Sequence, residues 1–433
     1  MNISILTLFP ELYSEFLKAS IIGKAQDKNK INAELVNFID FCNSKERVDS
    51  PTFGPGPGML IRPEVVESAV TQQEQKFGSA FKIFFSPHGK KLDQNLLKEL
   101  SAKLAQEKHI MLLASRYEGM DARVEEYYAD EIISLGDFVL MGGDLPAMCF
   151  LEGFLRLIPG VVGNSDSIEN DSFSGPLVDH PEYTSPLEFK GLQVPEVIRS
   201  GNHALIHEYR QKKAIERTLN GHFNWLRSQP LTKELKAKVH KEMPTHYAVL
   251  MHGDILLKDK TVGTSSVTSL DIHDIARSAM TYGIKNYYIV TPLKDQQTIV
   301  QTLLDFWNIG HGIEYNIHRH NAIKMVRLNN NLDEVLAQIE KTEGQKPLLI
   351  ATSAKYHNNT ERYITYFDQA KVWKSKRPVL FIFGTGHGLA DYILDRCDFI
   401  LEPLHGFSEF NHLSVRSAAA VIFDKWFGVN LKK

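Results

Sequence analysis

The segment His109–Gly119, HIMLLASRYEG, passes from a continuously apolar run into a charged turn that carries Arg116 and Glu118. A short run of this kind is typical of a strand that is buried on both faces of a parallel sheet. Two further apolar runs, ISILTLF and FKIFFSPHG, alternate with helical patterns in the same region. This alternation predicts an α/β domain with a mainly parallel sheet over residues 1–160.

The alternation begins again at His246 and predicts a second α/β domain over residues 246–433. Its apolar runs are HYAVLMH, NYYIVTP, PLLIATS, PVLFIFGTG and DFILEPL. In both halves a strand leads through a glycine-containing loop and a helix to another strand and a final apolar helix. We interpret this shared order as the trace of a distant tandem duplication.

A stretch of different composition lies between the two halves. Residues 161–176 are rich in Gly, Ser, Asn and Asp, which predicts a flexible linker or lid. Residues 177–243 have a helical pattern, and the part from Leu177 to Glu242 contains 11 Lys and Arg against 8 Asp and Glu. We therefore expect a small helical domain there, with a local net charge of +3.

The composition excludes several classes of protein. The 433 residues contain 49 Lys and Arg against 52 Asp and Glu, so the whole chain has no basic field that would attract nucleic acid. Cys42, Cys149 and Cys397 are odd in number and lack the CxxC spacing of metal sites, which favours a reducing compartment. No apolar run reaches the length of a membrane span. These features predict a cytoplasmic protein with no membrane partner.

The sequence GTGHG at Gly384–Gly388 follows an apolar run and precedes a helix, as the phosphate-binding turns of dinucleotide folds do. Such a turn normally follows the first strand of its sheet, but only 45 residues follow Gly388. A nicotinamide-dependent oxidoreductase is therefore the weakest interpretation. The glycines fit a backbone that approaches an uncharged moiety such as adenosine, and a simple tight turn is the alternative.

Two segments of the first half have the composition of ligand-binding loops. The segment SRYEGMDAR carries four charged side chains: Arg116, Glu118, Asp121 and Arg123. Because α/β domains bind ligands at strand ends, this cluster is a candidate site, and a surface charge cluster is the alternative. The run DFVLMGGDLPA predicts an apolar strand closed by Gly142, Gly143 and Pro146, which suits a pocket lined by backbone atoms.

Asp171 is the only carboxylate in NDSFSG, and Arg156 lies shortly before the same segment. An arginine beside a carboxyl keeps its pKa low, whereas a general base benefits from a raised pKa, so geometry and dehydration decide whether Asp171 can act as a base. His203 and His207 have the spacing of metal ligands but lack a third ligand, so we predict no zinc site there. Three further histidines are predicted to lie at the surface: His311, His318 and His320.

Eight segments of the first half have the order and spacing of a known family. They are LTLFPE, GPGPGML, SPHGKKLDQ, SRYEGMDARV, LGDFVLMGGDLPAM, RLIPGVVG, DSFSGPLVDHPEYT and VPEVIRSGNHALIHEYR. With them, residues 1–243 resemble the bacterial tRNA (guanine-N1)-methyltransferase family of the SPOUT superfamily, which methylates guanosine at position 37 beside the anticodon. The resemblance implies a trefoil-knotted domain that binds S-adenosylmethionine in the knot, a flexible linker and a helical tRNA-binding domain. It also implies a homodimer in which both protomers contribute to each site, with tRNA and not DNA as the partner.

The resemblance also assigns roles to residues of this sequence. Asp171 matches the general base for the guanine N1 proton, and Arg156 matches the residue near O6, where a guanidinium stabilises the negative charge that develops. The cofactor pocket implied by the resemblance consists of Pro87, Ser115, Glu118, Leu135, Gly136, Asp137, Phe138, Val139, Leu140, Gly142, Gly143 and Pro146. The family is associated with a divalent ion such as Mg²⁺, but no carboxylate cluster in the sequence marks a metal site, so metal dependence stays open.

The sequence departs from the family pattern at six positions, which are Ser50, Thr52, Pro55, Ser115, Asp144 and Ser185. Ser115 adds a side chain where the family has Gly, and Ser185 removes a candidate phosphate contact. Because Asp171, Arg156 and Glu118 are present, we expect these departures to affect efficiency and cofactor affinity rather than the type of reaction.

The second half resembles another SPOUT-type family, of RNA methyltransferases with an undefined target, over residues 246–430. The segments that carry this resemblance are SSVTSLDIHDIARSAMTYGIKNYYIVTP, ATSAKY, LFIFGTGHGLAD, FILEPLHG and NHLSVRSAAAVIFD. The knot and cofactor site implied here consist of Gly384, Thr385, Gly386, Gly388, Leu401, Pro403, Leu413 and Ser414. Asn411 and Arg416 are candidate groups on the substrate side, and the sequence identifies no base.

The expected fold class is thus α/β, with two trefoil-knotted SPOUT-type domains of mainly parallel sheet separated by a small helical domain. The expected function is methylation of guanine N1 at position 37 of tRNA with S-adenosylmethionine, beside a second SPOUT domain of unknown RNA target. An RNA-binding scaffold with one or both methyltransferase domains inactive is the alternative.

Overall fold

The computed structural model describes residues 1–54, 57–162, 171–357 and 360–430. The chain divides into two compact units, Met1–Ser174 and Gly175–Lys433. The residues predicted to form the helical domain lie within the second unit. Within the described ranges, none of the helices is both long and apolar enough to cross a membrane.

The first unit is built on a parallel sheet of five strands. Among the described residues, the strands of the whole unit are β1 (Asn2–Thr7), β2 (Asn32–Asn37), β3 (Asp49–Pro51), β4 (Met59–Ile61), β5 (Phe81–Lys91), β6 (His109–Leu113) and β7 (Glu131–Ser134). The parallel sheet has the order β2-β1-β6-β5-β7, and β3 and β4 form a separate antiparallel ribbon. All five residues of β6 are buried, as the apolar run predicts.

Helices cover both faces of this sheet. They are α1 (Glu11–Lys18), α2 (Ser20–Asp27), α3 (Pro63–Phe77), α4 (Gln94–Leu104), α5 (Ala122–Tyr128) and α6 (Asp144–Leu157). Neighbouring residues of one strand enter opposite cores, since Leu112 packs in the cluster with Phe150 on α6, and Leu113 packs with Val66 on α3. This alternation is why the central strands are apolar at every position.

The apolar strand predicted in DFVLMGGDLPA does not form. Strand β7 ends at Ser134, whose hydroxyl donates a hydrogen bond to the carbonyl of Gly136 (3.2 Å), and the chain then leaves the sheet. Val139 and Met141 are 86% and 88% exposed in the loop that follows. The prediction was wrong because an apolar run does not distinguish a buried strand from an exposed apolar loop.

The second unit is built on a parallel sheet of seven strands. The strands of the whole unit, within the residues that the structure describes, are β8 (Glu188–Phe189), β9 (Leu192–Gln193), β10 (His246–Met251), β11 (Ile255–Leu256), β12 (Val262–Gly263), β13 (Tyr287–Val290), β14 (Val326–Asn329), β15 (Leu348–Thr352), β16 (Tyr363–Ile364), β17 (Val379–Gly384) and β18 (Phe399–Leu401). The large sheet has the order β14-β13-β10-β17-β15-β18-β16. Its middle five strands repeat the chain order of the first sheet, because β10, β13, β15, β17 and β18 take the places of β1, β2, β5, β6 and β7.

The helices of the second unit begin in the segment predicted to be helical. They are α7 (Glu196–Arg199), α8 (His203–Gly221), α9 (Phe223–Ser228), α10 (Lys233–Glu242), α11 (Ser269–Thr281), α12 (Lys294–Asn308), α13 (Gly312–Tyr315), α14 (Ile317–Ile323), α15 (Leu332–Glu343), α16 (Gln369–Trp373), α17 (Asp391–Arg396) and α18 (Val415–Phe427). Two of the three histidines predicted at the surface, His311 and His318, are exposed. His320 is instead buried, because it lies on the inner face of α14, where Nδ1 is 2.7 Å from the carbonyl oxygen of Trp307.

Candidate functional sites

The cofactor residues predicted in the first unit follow three neighbouring strands. Ser115 and Glu118 come directly after β6, and the segment 135–143 comes after β7. Pro87 lies in β5, where the register with β7 shifts between Phe85 and Lys90. Because β6, β5 and β7 are adjacent and parallel, these residues share the carboxyl edge of the sheet, which is where open α/β sheets bind ligands.

Two of the loops at this edge are in direct contact. Arg116 and Gly142 form an antiparallel bridge, and the amide of Gly143 donates to the carbonyl oxygen of Ser115 (2.7 Å). A Cβ on Gly142 would lie 2.4 Å from Cδ of Arg116, and one on Gly143 would lie 2.8 Å from the backbone nitrogen of Ser115. Only glycine permits this approach at either position, so the structure brings Ser115, Gly142 and Gly143 together.

The remaining predicted residues differ in exposure. Leu135 and Gly136 follow β7 directly, and Pro146 is buried in the first turn of α6. Asp137 forms an exposed ion pair with Lys91 (2.8 Å). Six members of the set are exposed: Pro87, Glu118, Asp137, Phe138, Val139 and Leu140. The amide of Glu118 donates to the carbonyl oxygen of Met59 on β4 (3.1 Å), and its own side chain is exposed.

Asp144 is buried at this edge and forms hydrogen bonds with three side chains. Its carboxylate accepts hydrogen bonds from Thr7 Oγ1 (2.5 Å), from the hydroxyl of Tyr13 (3.1 Å) and from Nε of Arg116 (2.7 Å). Burial and the neighbouring carboxylate raise the pKa of Tyr13 well above its usual range, so its hydroxyl stays a donor. The candidate charge cluster therefore divides, because Arg116 turns inward to Asp144 while Arg123 pairs with Asp121 at the surface (2.7 Å).

Arg156 and Asp171 form an ion pair. Nε and Nη2 of Arg156 donate to Oδ2 of Asp171 at 2.8 and 2.5 Å. The side chains remain 44% and 32% exposed, so a ligand can reach both. Residues 163–170 of the predicted linker, and the departure Pro55, lie outside the described residues.

A cavity of about 820 Å³ lies at the carboxyl edge of the second sheet. Seven of the eight predicted cofactor residues line it: Gly384, Thr385, Gly386, Gly388, Leu401, Leu413 and Ser414. Pro403 is buried but does not line the cavity. Asn411 and Arg416 line it too, and they are tied down by Nδ2 of Asn411 donating to the carbonyl oxygen of Ala354 (2.9 Å) and by an Arg416–Asp271 ion pair (3.4 Å).

The GTGHG loop is both a tight turn and a cavity wall. Gly386 has φ +61°, a conformation that favours glycine, and a Cβ there would lie 3.1 Å from the carbonyl oxygen of Leu256. The amide of Leu256 donates to the carbonyl of Gly388 (2.9 Å), and the amide of His387 donates to that of Leu256 (3.0 Å). The two interpretations of the loop are therefore compatible.

His252 is a cavity residue that the sequence analysis missed. Thr385 Oγ1 donates to the carbonyl of Met251 (2.9 Å), so it must accept from Ser265 Oγ (2.6 Å), which in turn must accept from Nδ1 of His252 (3.0 Å). This order of donors fixes the tautomer and leaves a lone pair on Nε2, which is buried and has no hydrogen-bond partner among the described residues. Burial lowers the pKa of His252 to about 4, so the ring is neutral near pH 7.

Comparison with known proteins shows which families the sequence matches. The model of the family tRNA (Guanine-1)-methyltransferase TrmD matches residues 1–227, and that of the family SAM-dependent RNA methyltransferase matches residues 245–428. A tRNA (guanine-N(1)-)-methyltransferase of Nitratidesulfovibrio vulgaris is 38% identical over 434 residues, which is 99% of each chain. The chain belongs to the tRNA (guanine-1)-methyltransferase family.

Within the tRNA (guanine-1)-methyltransferase family, relatives of two lengths are similar to this chain. The Bacillus subtilis tRNA (guanine-N(1)-)-methyltransferase is 41% identical over 236 residues, which cover 54% of this chain and 96% of that protein. A crystal structure of tRNA (m1G37) methyltransferase from Aquifex aeolicus has 33% identity and a TM-score of 0.41, and the match covers 48% of this chain and 87% of that chain. The long relative from Nitratidesulfovibrio vulgaris also aligns with the second half, so the two-part arrangement is not peculiar to this chain.

These matches confirm the resemblances drawn from the sequence of both halves. The two large parallel sheets confirm the α/β fold class. The two families imply S-adenosylmethionine as the methyl donor. The trefoil knots, the roles of individual residues and the homodimer stay predictions.

Proposed function

We propose that the first unit transfers a methyl group from S-adenosylmethionine to N1 of guanine at position 37 of tRNA. The observation that carries this proposal is the accessible pair of Arg156 and Asp171, which joins a base to a cation that can face the guanine O6. The names of the relatives in this family support the same reaction.

Asp171 acts as the general base. Bound S-adenosylmethionine supplies an electrophilic methyl group on a positively charged sulfur, and S-adenosylhomocysteine is the product. The N1–carbon bond forms as the sulfur–carbon bond breaks, and the N1 proton moves to the carboxylate of Asp171. In the ion pair both donating nitrogens of Arg156 point at Oδ2 of Asp171. A guanine whose O6 draws the guanidinium toward itself leaves the Asp171 carboxylate to accept the N1 proton.

The carboxyl edge of the first sheet holds the cofactor in this proposal. The contact between the loops at Ser115 and Gly143 presents backbone atoms, which suit the polar edges of an adenine ring. Leu135 and Leu140 offer apolar contact beside them, and Glu118 offers an exposed carboxylate. The side chain of Ser115 is a small addition there, in line with an effect on affinity rather than on the reaction.

The fold also supports proposals about assembly. The exposed apolar side chains of Phe138, Val139 and Met141 would be covered in a homodimer, and such a dimer would also let a second protomer complete each site. We also propose trefoil knots in both α/β domains, a cytoplasmic location and a requirement for Mg²⁺.

The cavity of the second unit takes a second S-adenosylmethionine, for transfer to RNA. Its volume lies in the range of cofactor sites, about 300–1,000 Å³. The buried lone pair of His252 and the backbone of Gly384–Gly388 offer hydrogen bonds to a mainly uncharged ligand. A neutral imidazole also avoids placing a positive charge in the same cavity as a sulfonium.

Substitution of Asp171 tests the first site. With a tRNA transcript that carries guanosine at position 37, we expect Asp171→Asn to lower the rate of methyl transfer by about 100-fold or more, since general base catalysis contributes about that much. Asp121→Asn is the matched control, because Asp121 also pairs with a nearby arginine but lies outside the proposed site. Equal rates for wild type and Asp171→Asn would overturn the role of Asp171, and an inactive wild type would favour an RNA-binding scaffold.

A further inference from the structure

We infer that the second methyltransferase site acts on the same tRNA that the first site uses. This inference rests on the proposed function, because it takes tRNA as the RNA that the chain binds. It is carried by the way the helical segment, residues 177–243, is built into the second unit rather than standing as a separate body.

The helical segment and the second sheet share one hydrophobic core. Leu219 and Phe223 of the helical segment belong to the same buried cluster as Trp373, Phe381 and Trp426 of the second α/β domain. The rings of Phe223 and Trp373 meet edge to face, with centroids 4.9 Å apart. Because side chains in such a core are close-packed, RNA held by the helical segment is also held relative to the second cavity.

Polar contacts fix the same junction. The guanidinium of Arg227 on α9 donates to three carbonyl oxygens at the end of α18, those of Asp424 (2.9 Å), Lys425 (2.6 Å) and Gly428 (3.0 Å). The amide of Leu231 donates to the carbonyl of Asn430 (3.1 Å). Side-chain and backbone bonds thus tie the helical segment to the final helix of the second domain.

Helix α18 connects this junction to the second cavity. Ser414, Val415 and Arg416 at its beginning line the cavity, and Arg227 caps its end. Its 13 residues span about 20 Å at 1.5 Å per residue. About six base pairs stacked at roughly 3.4 Å each have the same length. A tRNA bound to the helical segment is longer than this distance and can extend to the cavity.

Charge and aromatic groups suit RNA at both ends of α18. Lys233 and Lys236 on α10 are exposed and can contact phosphates. Beside the cavity residue Lys355, the exposed ring of Tyr356 stacks on His405 with centroids 5.7 Å apart, and Phe410 is 75% exposed next to the cavity residue Asn411. Exposed rings of this kind stack with unpaired bases, so the expected target is an unpaired nucleotide of tRNA.

The test uses the full chain, labelled S-adenosylmethionine and two RNAs of similar length, a tRNA transcript with guanosine at position 37 and a ribosomal RNA fragment. Nuclease digestion and mass spectrometry locate each methyl group. We expect a methyl group in the tRNA at a position other than 37. Ala418 on α18 lines the cavity, so Ala418→Trp should fill it and abolish that methyl group while methylation at position 37 persists.

Charge reversal tests the shared use of the helical segment. Lys233→Glu with Lys236→Glu should weaken both methylations at least 10-fold and reduce the salt dependence of tRNA binding by about two phosphate contacts. Lys294→Glu with Lys341→Glu, exposed lysines of the same unit outside the helical segment, should change neither.

Three results would overturn the inference: methylation by the second site of the ribosomal fragment alone, absence of any methyl group beyond position 37, or a second methylation that is unaffected by the reversal at Lys233 and Lys236. Absence of N1-methylguanosine at position 37 would instead overturn the proposed function. Because the positions are mapped separately, the two failures can be distinguished.

Discussion

Replacement of Arg227 by alanine removes three hydrogen bonds, here called the fork, that join the helical segment to the last helix of the second domain. Three carbonyl oxygens lose a charged donor. Hydrogen bonds from charged groups contribute about 1.5–3 kcal/mol each, but Arg227 is only half-buried and water can replace part of its contacts, so we take about 1 kcal/mol for each. The lost interaction with the helix C-terminus adds about 0.5 kcal/mol. The expected loss is therefore about 3–4 kcal/mol in the free energy of unfolding.

Tryptophan fluorescence measures the unfolding of the second unit, which contains Arg227. The chain has four tryptophans, Trp225, Trp307, Trp373 and Trp426, and all of them lie in Gly175–Lys433. In equilibrium urea unfolding, a slope of about 3 kcal/mol/M converts the loss into a shift of about 1 M in the midpoint. Arg217→Ala is the matched control, because this exposed arginine of α8 donates a single bond to the carbonyl of Asp179 (3.1 Å) and should cost about 1 kcal/mol or less.

Two results would refute the reasoning behind Arg227. An unchanged midpoint would show that the fork does not stabilise the junction. A separate early transition, seen while the rest of the unit stays folded, would show that the helical segment is an independent domain that does not share the core of the second sheet.

Two further predictions follow from buried groups. Burial lowers the pKa of His252 to about 4 and that of His246 to about 3, below the value of about 6.5 expected in the unfolded chain. The unfolded chain thus binds protons first as the pH falls, so the free energy of unfolding is complete above pH 6.5 and decreases toward pH 4 by about 1.4 kcal/mol per pH unit for each histidine. Urea unfolding at a series of pH values should show a shallower decrease for His252→Gln, and an unchanged pH dependence would contradict this. In the first unit, Gly143→Ala places a Cβ against backbone atoms of Ser115 and should destabilise the fold by about 1–3 kcal/mol, measured by urea unfolding followed by circular dichroism. Gly221→Ala, where a Cβ meets open space, is its control, and equal stability of the two variants would show that the loop contact at Gly143 is not tight.

Sequence patterns predict the central strands because their signal is local. Every position of β6 is buried, so its apolar run is unbroken and can be recognised without a partner. The loop at 137–142 shows the limit, since its apolar residues are exposed although their pattern resembles that of a strand. His320 was assigned to the surface by its spacing, whereas its burial depends on a contact with Trp307 that only the packing of α14 creates.

The buried networks of the two sites lie beyond such patterns. Asp144 accepts a hydrogen bond from Thr7, which is 137 residues away, and Ser265 meets Thr385 across 120 residues. No periodicity encodes these distances, because they result from the order of strands in the sheets. Arg156 and Asp171, 15 residues apart, were candidates from their place in the sequence and from the family resemblance, whereas the ion pair between them is seen only in the structure.

The most direct test of the central claim compares two tRNA transcripts that differ only at position 37. The purified chain is incubated with S-adenosylmethionine and a transcript carrying either guanosine or adenosine there, and the nucleosides are identified by mass spectrometry. The account predicts N1-methylguanosine with the guanosine transcript and none at position 37 with the adenosine transcript. Absence of N1-methylguanosine from both transcripts would contradict it.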